Sequence, residues 1–340
     1  LEKIMKLGGE ETAADLMESS AESMIHVFFR DHRNHFPVLE SAAEETWNGY
    51  YTSPENHYAE LRDRLAKDHG ITVEVRRIDE MGDALRFYNE DDRVVHLSQA
   101  LNNSNRVFQL AHVLCAVRFP DLLADTAQQS GITSLHALSR LRVELANYFA
   151  AAFLMPYDAF LSEVETTGYD FDRVGAAFGA TFEQVCQRVT TLQRKGARGV
   201  PFFFMRIDRA GNVSKRFNST SFHLAEYGGA CPVWNIHTSF RTPGVILPQF
   251  VELPEGERFF TISRTSDRPV YSRQSQDRRL ALALGCEFRF VEEIGYAKSF
   301  NLDSENLFSP IGINCHLCPR QACSQRAHQP LFVDLPISPD

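Results

Sequence analysis

The chain has 340 residues, 44% hydrophobic and 23% charged, which is enough for two or three domains with real cores. Its formal net charge of -9 excludes a free-standing nucleic-acid binder, whose affinity comes from neutralising phosphates. No apolar run is long enough to span a bilayer and no charged-then-apolar leader opens the chain, so a cytoplasmic protein without membrane contact is expected. Cytosolic thiols stay reduced, and seven cysteines are an odd number, so their clustering points to metal chemistry rather than disulfides. The chain begins LEKIMKLGGE, without an initiator Met, and a further upstream segment is expected.

Residues 1–50 read as helical, with few breakers and a mixed face in ETAADLMESSAESMIHVFFRDH. A cleaner helix follows in TSPENHYAELRDRLAKDHG: Ser53 caps it, Pro54 takes its first position, and Gly70 stops it. ITVEVRRI and ALRFYNEDDRVVHLS read as strands, the second a hairpin turning at Asn89–Asp92. NRVFQLAHVLCAVRF is apolar nearly all round and predicts a buried helix. Another helix, LRVELANYFAAAFLM, ends at Pro156. FDRVGAAFGATFEQVCQRVTTLQRK predicts two short helices broken at Gly179, with Thr181 and Gln184 as a capping box. From Val200 the texture is that of strands: VPFFFMRI and NVSKRF about the turn DRAGN, then ERFFTISR and CEFRFV. QRKGARGV, residues 193–200, predicts a domain boundary.

The order helix, hairpin, buried helix and a second helix ending LMP resembles the ImmA/IrrE-type zinc metallopeptidases. Their chemistry needs two imidazoles one helical turn apart, a glutamate base beside the first, and a third ligand from the next helix. Here His112 is followed by Val113, Leu114, Cys115 and Ala116, so Val113 replaces the base and Ala116 the second histidine. Only His112 and Glu144 match the pattern, and water activation by that route is not expected. A buried histidine and glutamate satisfying each other is the expectation, and Cys115 is the one candidate substitute ligand. A residual zinc peptidase is the rival reading.

The paired helices at 171–195 have helix-turn-helix spacing, and Arg188, Arg194 and Lys195 make the second mildly basic. Packing against the peptidase-like part is favoured over DNA reading, because the chain is acidic and the pattern is common.

GINCHLCPRQACSQRAH, residues 312–328, holds Cys315, Cys318, Cys323 and His328. Three thiolates and one imidazole suit zinc, so a zinc-stapled binding module is a serious alternative. Cys-x2-Cys with a third cysteine nearby and a distant fourth suits an iron–sulfur cubane. Cys231 in GGACPVWN is available as that fourth; it and Cys318 each precede proline, and Gly228 with Gly229 would permit close backbone approach. Cys115, Cys186 and Cys286 lie in apolar segments and read as inert buried thiols.

With FFFMRIDRAGNVSKRFNSTSFH and GGACPVWN standing ahead of GINCHLCPRQACSQRA, the chain resembles the PrpR-type, short-chain fatty-acyl-responsive transcription regulators of propionate and methylcitrate metabolism. The resemblance implies an upstream helix-turn-helix domain absent from this chain, through which alone DNA is bound. It also implies a body that senses CoA or short-chain acyl-CoA, and a [4Fe-4S] cluster on Cys231, Cys315, Cys318 and Cys323. A transcription activator rather than an enzyme, working as a homo-oligomer (dimer or tetramer), is expected. The expected fold class is α+β: residues 1–50 a helical linker and oligomerisation region, 51–195 a degenerate metallopeptidase-like domain with a terminal helix pair, and 200–340 an acyl-CoA-sensing, mixed-sheet domain of GAF-like form.

CoA carries several phosphates and needs several cations. Arg206, Arg209, Lys215 and Arg216 lie on one hairpin, but alternation along a strand lets only part of that set converge. Arg264, Arg268, Arg273, Arg278 and Arg279 form a second basic run. Phe149, Phe153 and Tyr157 are candidates to sandwich the adenine or line the acyl channel, with Phe149 the one best read as plain core.

Overall fold

The computed structural model describes residues 21–47, 51–222, 230–266 and 279–332. The chain divides into two compact units, residues 1–159 with 176–181, and residues 160–175 with 182–340.

The first unit begins with helices α1 (Ala21–Asp31) and α2 (Pro37–Trp47). Ser53 and Pro54 open a 3-10 turn, without a side-chain cap bond, ahead of α3 (His57–His69). Gly70 ends α3 at φ 63°, a left-handed position that favours glycine. A three-stranded sheet follows, ordered β1 (Thr72–Arg76), β3 (Val94–Ser98), β2 (Arg86–Asn89). β2 and β3 are the expected hairpin, and β1 runs parallel to β3.

Helix α4 (Asn103–Arg118) is capped by the Asn102 side chain and buries Val107, Leu110, Ala111, His112, Val113, Leu114 and Cys115. Pro120 stops it and starts α5 (Pro120–Gln128). Ser134 caps α6 (Leu135–Leu154), which packs against α2. Trp47 stacks on Phe153 at 4.1 Å, its Nε1 donates to Phe153 O at 2.8 Å, and Tyr148 donates to the buried Glu40 carboxylate at 2.6 Å. No single described helix is long and apolar enough to cross a membrane.

Helices α7 (Tyr157–Thr167) and α8 (Phe171–Phe178) are each cut by the division between the units, and α9 (Phe182–Val189) belongs to the second. The second unit is built on a six-stranded sheet ordered β5 (Val213–Asn218), β4 (Phe203–Ile207), β8 (Leu280–Glu287), β7 (Arg258–Ser266), β6 (Leu247–Glu252), β9 (Ser309–Pro310). All pairs are antiparallel except β6 with β9.

One face packs Phe203, Met205, Ile207, Phe259, Ala281 and Ala283 with Trp234, Ile236 and Ile311. On the other, Arg206 pairs with Glu183 of α9 at 2.6 Å and Arg264 with Asp172 of α8 at 2.5 Å. The strand expected at CEFRFV is displaced: β8 ends at Glu287, and Phe288–Glu293 is a 3-10 helix. The true strand, LALALGCE, is buried along nearly its whole length, which erases the polar alternation that marks a half-exposed strand.

Candidate functional site

Cys231, Cys315, Cys318 and Cys323 line one small pocket. Chain order disperses them and the fold collects them. Cys231 belongs to the apolar cluster beneath the sheet, where Trp234 anchors its loop: Trp234 N–H donates to Cys231 O at 3.0 Å, and Trp234 Nε1 to Thr261 Oγ1 at 3.3 Å. The other three come from the segment after β9. Its first residues follow the sheet edge through Ile311 N–H to Glu252 O at 3.0 Å. Asn314 Oδ1 accepts from Leu317 N–H at 3.0 Å and winds Cys315–Leu317 into a 3-10 turn.

The backbone already donates to these sulfurs. Gly312 N–H points at Cys231 Sγ (3.5 Å) and Ala327 N–H at Cys315 Sγ (3.4 Å). Gly312 also makes room for the thiols, since a Cβ there would stand 2.7 Å from Cys318 Sγ. Burial raises the Cys231 thiol above its usual pKa, against donors at Gly312 and Val233 that lower it; Cys315 and Cys318 add to the rise. Among the described residues no three His, Cys, Asp or Glu side chains converge as they would on a single metal ion. His328, the ligand a zinc knuckle would use, does not line the pocket but stacks on His316 at 4.5 Å.

Sequence reasoning missed five lining residues, Pro310, Gly312, Asn314, Arg320 and Arg326. The arginines stand in the stretch that drew attention, but an arginine in a polar loop reads as surface.

The hairpin cations separate as strand alternation requires. Arg206 and Lys215 are direct partners on one face; Arg216 opposes Met205 on the other and is buried. Arg206 is engaged by Glu183 and by Ser214 at 2.9 Å, and Lys215 lies over the Phe217 ring at 5.2 Å. Arg209 is exposed at the turn that Asp208 organises by accepting from Ala210 and Asn212 N–H. Of the second basic run, Arg268, Arg273 and Arg278 lie outside the described residues, as do Gly228 and Gly229. Phe153 and Tyr157 are fully buried in the first unit, Phe153 against Trp47 and Tyr157 against His35 at 5.6 Å, and present no open surface.

The peptidase-like site holds a correction. His112 does not bond to Glu144: both ring nitrogens are buried without a hydrogen-bond partner. Burial, with a smaller push from Arg86, lowers its pKa to about 3; Glu144 and the nearby backbone at Val143 and His112 oppose this only in part, the backbone groups lying outside good hydrogen-bond geometry. Burial also pushes the Cys115 thiol far up. The helix pair α8–α9 is a packing unit. Arg188 has no exposed surface; it donates to Thr191 Oγ1 at 2.9 Å and lies over Phe160.

Residues 191–340 match the family described as short-chain fatty acyl coenzyme A regulator, C-terminal, and residues 66–190 match the IrrE N-terminal-like domain. A propionyl-CoA carboxylase regulator of Cereibacter sphaeroides is 36% identical over 98% of this chain and 70% of its own length. The chain belongs to the short-chain fatty acyl coenzyme A regulators, of the PrpR type. The regulator is also 37% identical to the HTH-type transcriptional regulator PrpR of Mycobacterium tuberculosis and 34% to its HTH-type transcriptional regulator RamB, spanning 62% and 64% of their lengths. A solved structure, a Mycobacterium tuberculosis transcriptional regulator, superposes at a TM-score of 0.87 with 33% identity, covering 93% of the regulator and 95% of that chain.

Proposed function

We propose that this regulator chain is the ligand-sensing and oligomerisation part of a cytoplasmic transcription activator, binding CoA or a short-chain acyl-CoA and carrying a [4Fe-4S] cluster on Cys231, Cys315, Cys318 and Cys323. One observation carries the cluster: Cys231 borders the same pocket as three cysteines far along the chain. The pocket also suits an anionic cluster by its sulfur-directed N–H groups and by the Gly312 clearance. The cluster, when bound, supplies a delocalised anionic centre that ties the loop of Cys231 to the C-terminal segment.

The acyl-CoA reading rests on family membership and on the hairpin, where Arg209 and Lys215 are the cations best placed to meet phosphate. DNA contact falls to a domain outside these 340 residues: the relatives are HTH-type regulators, and in the helix pair of suitable spacing described here the second helix, α9, is largely buried. Ligand and cluster then favour one symmetric assembly, which sets the geometry of the DNA-binding domains. The chain is not an enzyme in this reading, since Val113 and Ala116 replace the base and a ligand.

Anaerobically purified protein is expected to be brown, with about four irons and as many sulfides per chain. It should lose both in Cys231→Ser and bind propionyl-CoA in a calorimetric titration that Arg209→Ala with Lys215→Ala weakens. A colourless protein with one zinc that tolerates Cys231→Ser would refute the cluster; undiminished affinity in the double variant would refute the hairpin as the phosphate site.

A further inference from the structure

Arg320 and Arg326 are half-buried and line the cysteine pocket. Arg320 donates Nε to Ile311 O at 3.1 Å and Nη2 to Glu252 O at 2.7 Å. Arg326 donates Nη1 to Cys318 O and His328 O, each at 3.4 Å, and Nη2 to Cys318 O at 3.5 Å and to Arg320 O. Every one of these acceptors is a backbone carbonyl. The carboxylate of Glu252, whose carbonyl Arg320 meets, is taken by Arg258 at 2.8 Å. Among the described residues neither guanidinium is ion-paired.

Two cations without a carboxylate, facing four thiols, are an unbalanced arrangement. A partly desolvated charge is costly unless an opposite charge stands near it. Neutral carbonyls fix the guanidinium planes but leave their charge unmet. A cubane core held by four thiolates has a net charge of about −2, and cluster potentials respond to nearby charge and hydrogen bonds. Reduction by one electron adds one more negative charge, which a facing cation stabilises.

We propose that Arg320 and Arg326 are the counter-charges of the cluster: they hold the cysteine loop by its carbonyls and raise the midpoint potential of the bound group. This rests on the cluster reading above. They are positioning residues, acting through the field they place on the pocket.

The test uses the full chain, reconstituted anaerobically with iron and sulfide, as wild type and as Arg320→Gln, Arg320→Lys, Arg326→Gln and Arg326→Lys. The midpoint potential is measured by dye-mediated titration with dithionite and followed by absorbance. The Gln variants are expected at more negative potentials, by about 59 mV for each tenfold loss of preference for the reduced state in a one-electron couple. The Lys variants should recover part of the shift. A cluster lost from the Gln variants and retained by the Lys variants supports the same assignment. Gln variants at the wild-type potential overturn it, as does loss of the cluster from Gln and Lys variants alike, which assigns the arginines to loop geometry alone. A wild-type chain that takes up no iron overturns the cluster reading itself, so the two failures read differently.

Discussion

His112 occupies the position where a metallopeptidase would bind zinc, yet its ring is buried and neither nitrogen makes a hydrogen bond of good geometry. The cost appears as acid sensitivity. The folded imidazole stays neutral down to about pH 3, while an unfolded histidine takes a proton near 6.5. Between those values the unfolded state binds more protons, so stability is fully present above 6.5 and drains as pH falls towards 3. His57 and His237 are lowered in the same direction, mainly by burial, and add to the slope. His112→Leu is expected to flatten the fall of melting temperature between about pH 6 and pH 4 and to leave it unchanged or raised at pH 7. Thermal melts across that range measure it; a variant with the wild-type slope would show that His112 carries none of the effect.

The elements differ in how far sequence alone exposes them. Helices α3, α4 and α6 are legible from their apolar pattern, and Gly70 marks the end of the first; the caps Asn102 and Ser134 start the other two ahead of the expected Asn105 and Leu141. β8 is not, because leucine and alanine are good helix formers and burial on both faces leaves no alternation to detect. The same holds for the candidate site. Cys315, Cys318 and Cys323 announce themselves by spacing and Cys231 by its proline neighbour and the family resemblance, but only the path of the sheet brings Cys231 to the same pocket, and the role of Arg320 depends on which carbonyls it meets. Helix α9 shows how spacing can mislead: its pattern fits a DNA reader, but Arg188 points into the core. Arg188→Ala should cost about 2–4 kcal/mol in denaturant unfolding, as a large buried side chain does, where an exposed DNA-contacting arginine would cost less than about 0.5 kcal/mol.

For the molecule as a whole, family descent and packing draw different boundaries. The two family matches meet between residues 190 and 191, while the second compact unit also takes residues 160–175 and 182–190. Those segments carry Asp172 and Glu183, which meet Arg264 and Arg206 on one face of the six-stranded sheet. A fragment of residues 191–340 leaves Arg206 and Arg264 without their carboxylates and the buried Phe202 without Tyr169 and Phe171. Expressed alone, it is expected to bind a hydrophobic dye and to aggregate, while the complete chain does neither. A fragment that stays monomeric and dye-free would show that the sheet is self-sufficient.

The threading of the chain therefore bears on how such a regulator could be remodelled. Three crossings separate the units, at residues 159/160, 175/176 and 181/182, so neither is a continuous cassette. A recombination event at the family boundary would move a sheet without its cover. The peptidase-like part carries Val113 and Ala116 where the peptidase motif has its base and second histidine, but it cannot be discarded, because the helices at its end have become part of the other unit's architecture.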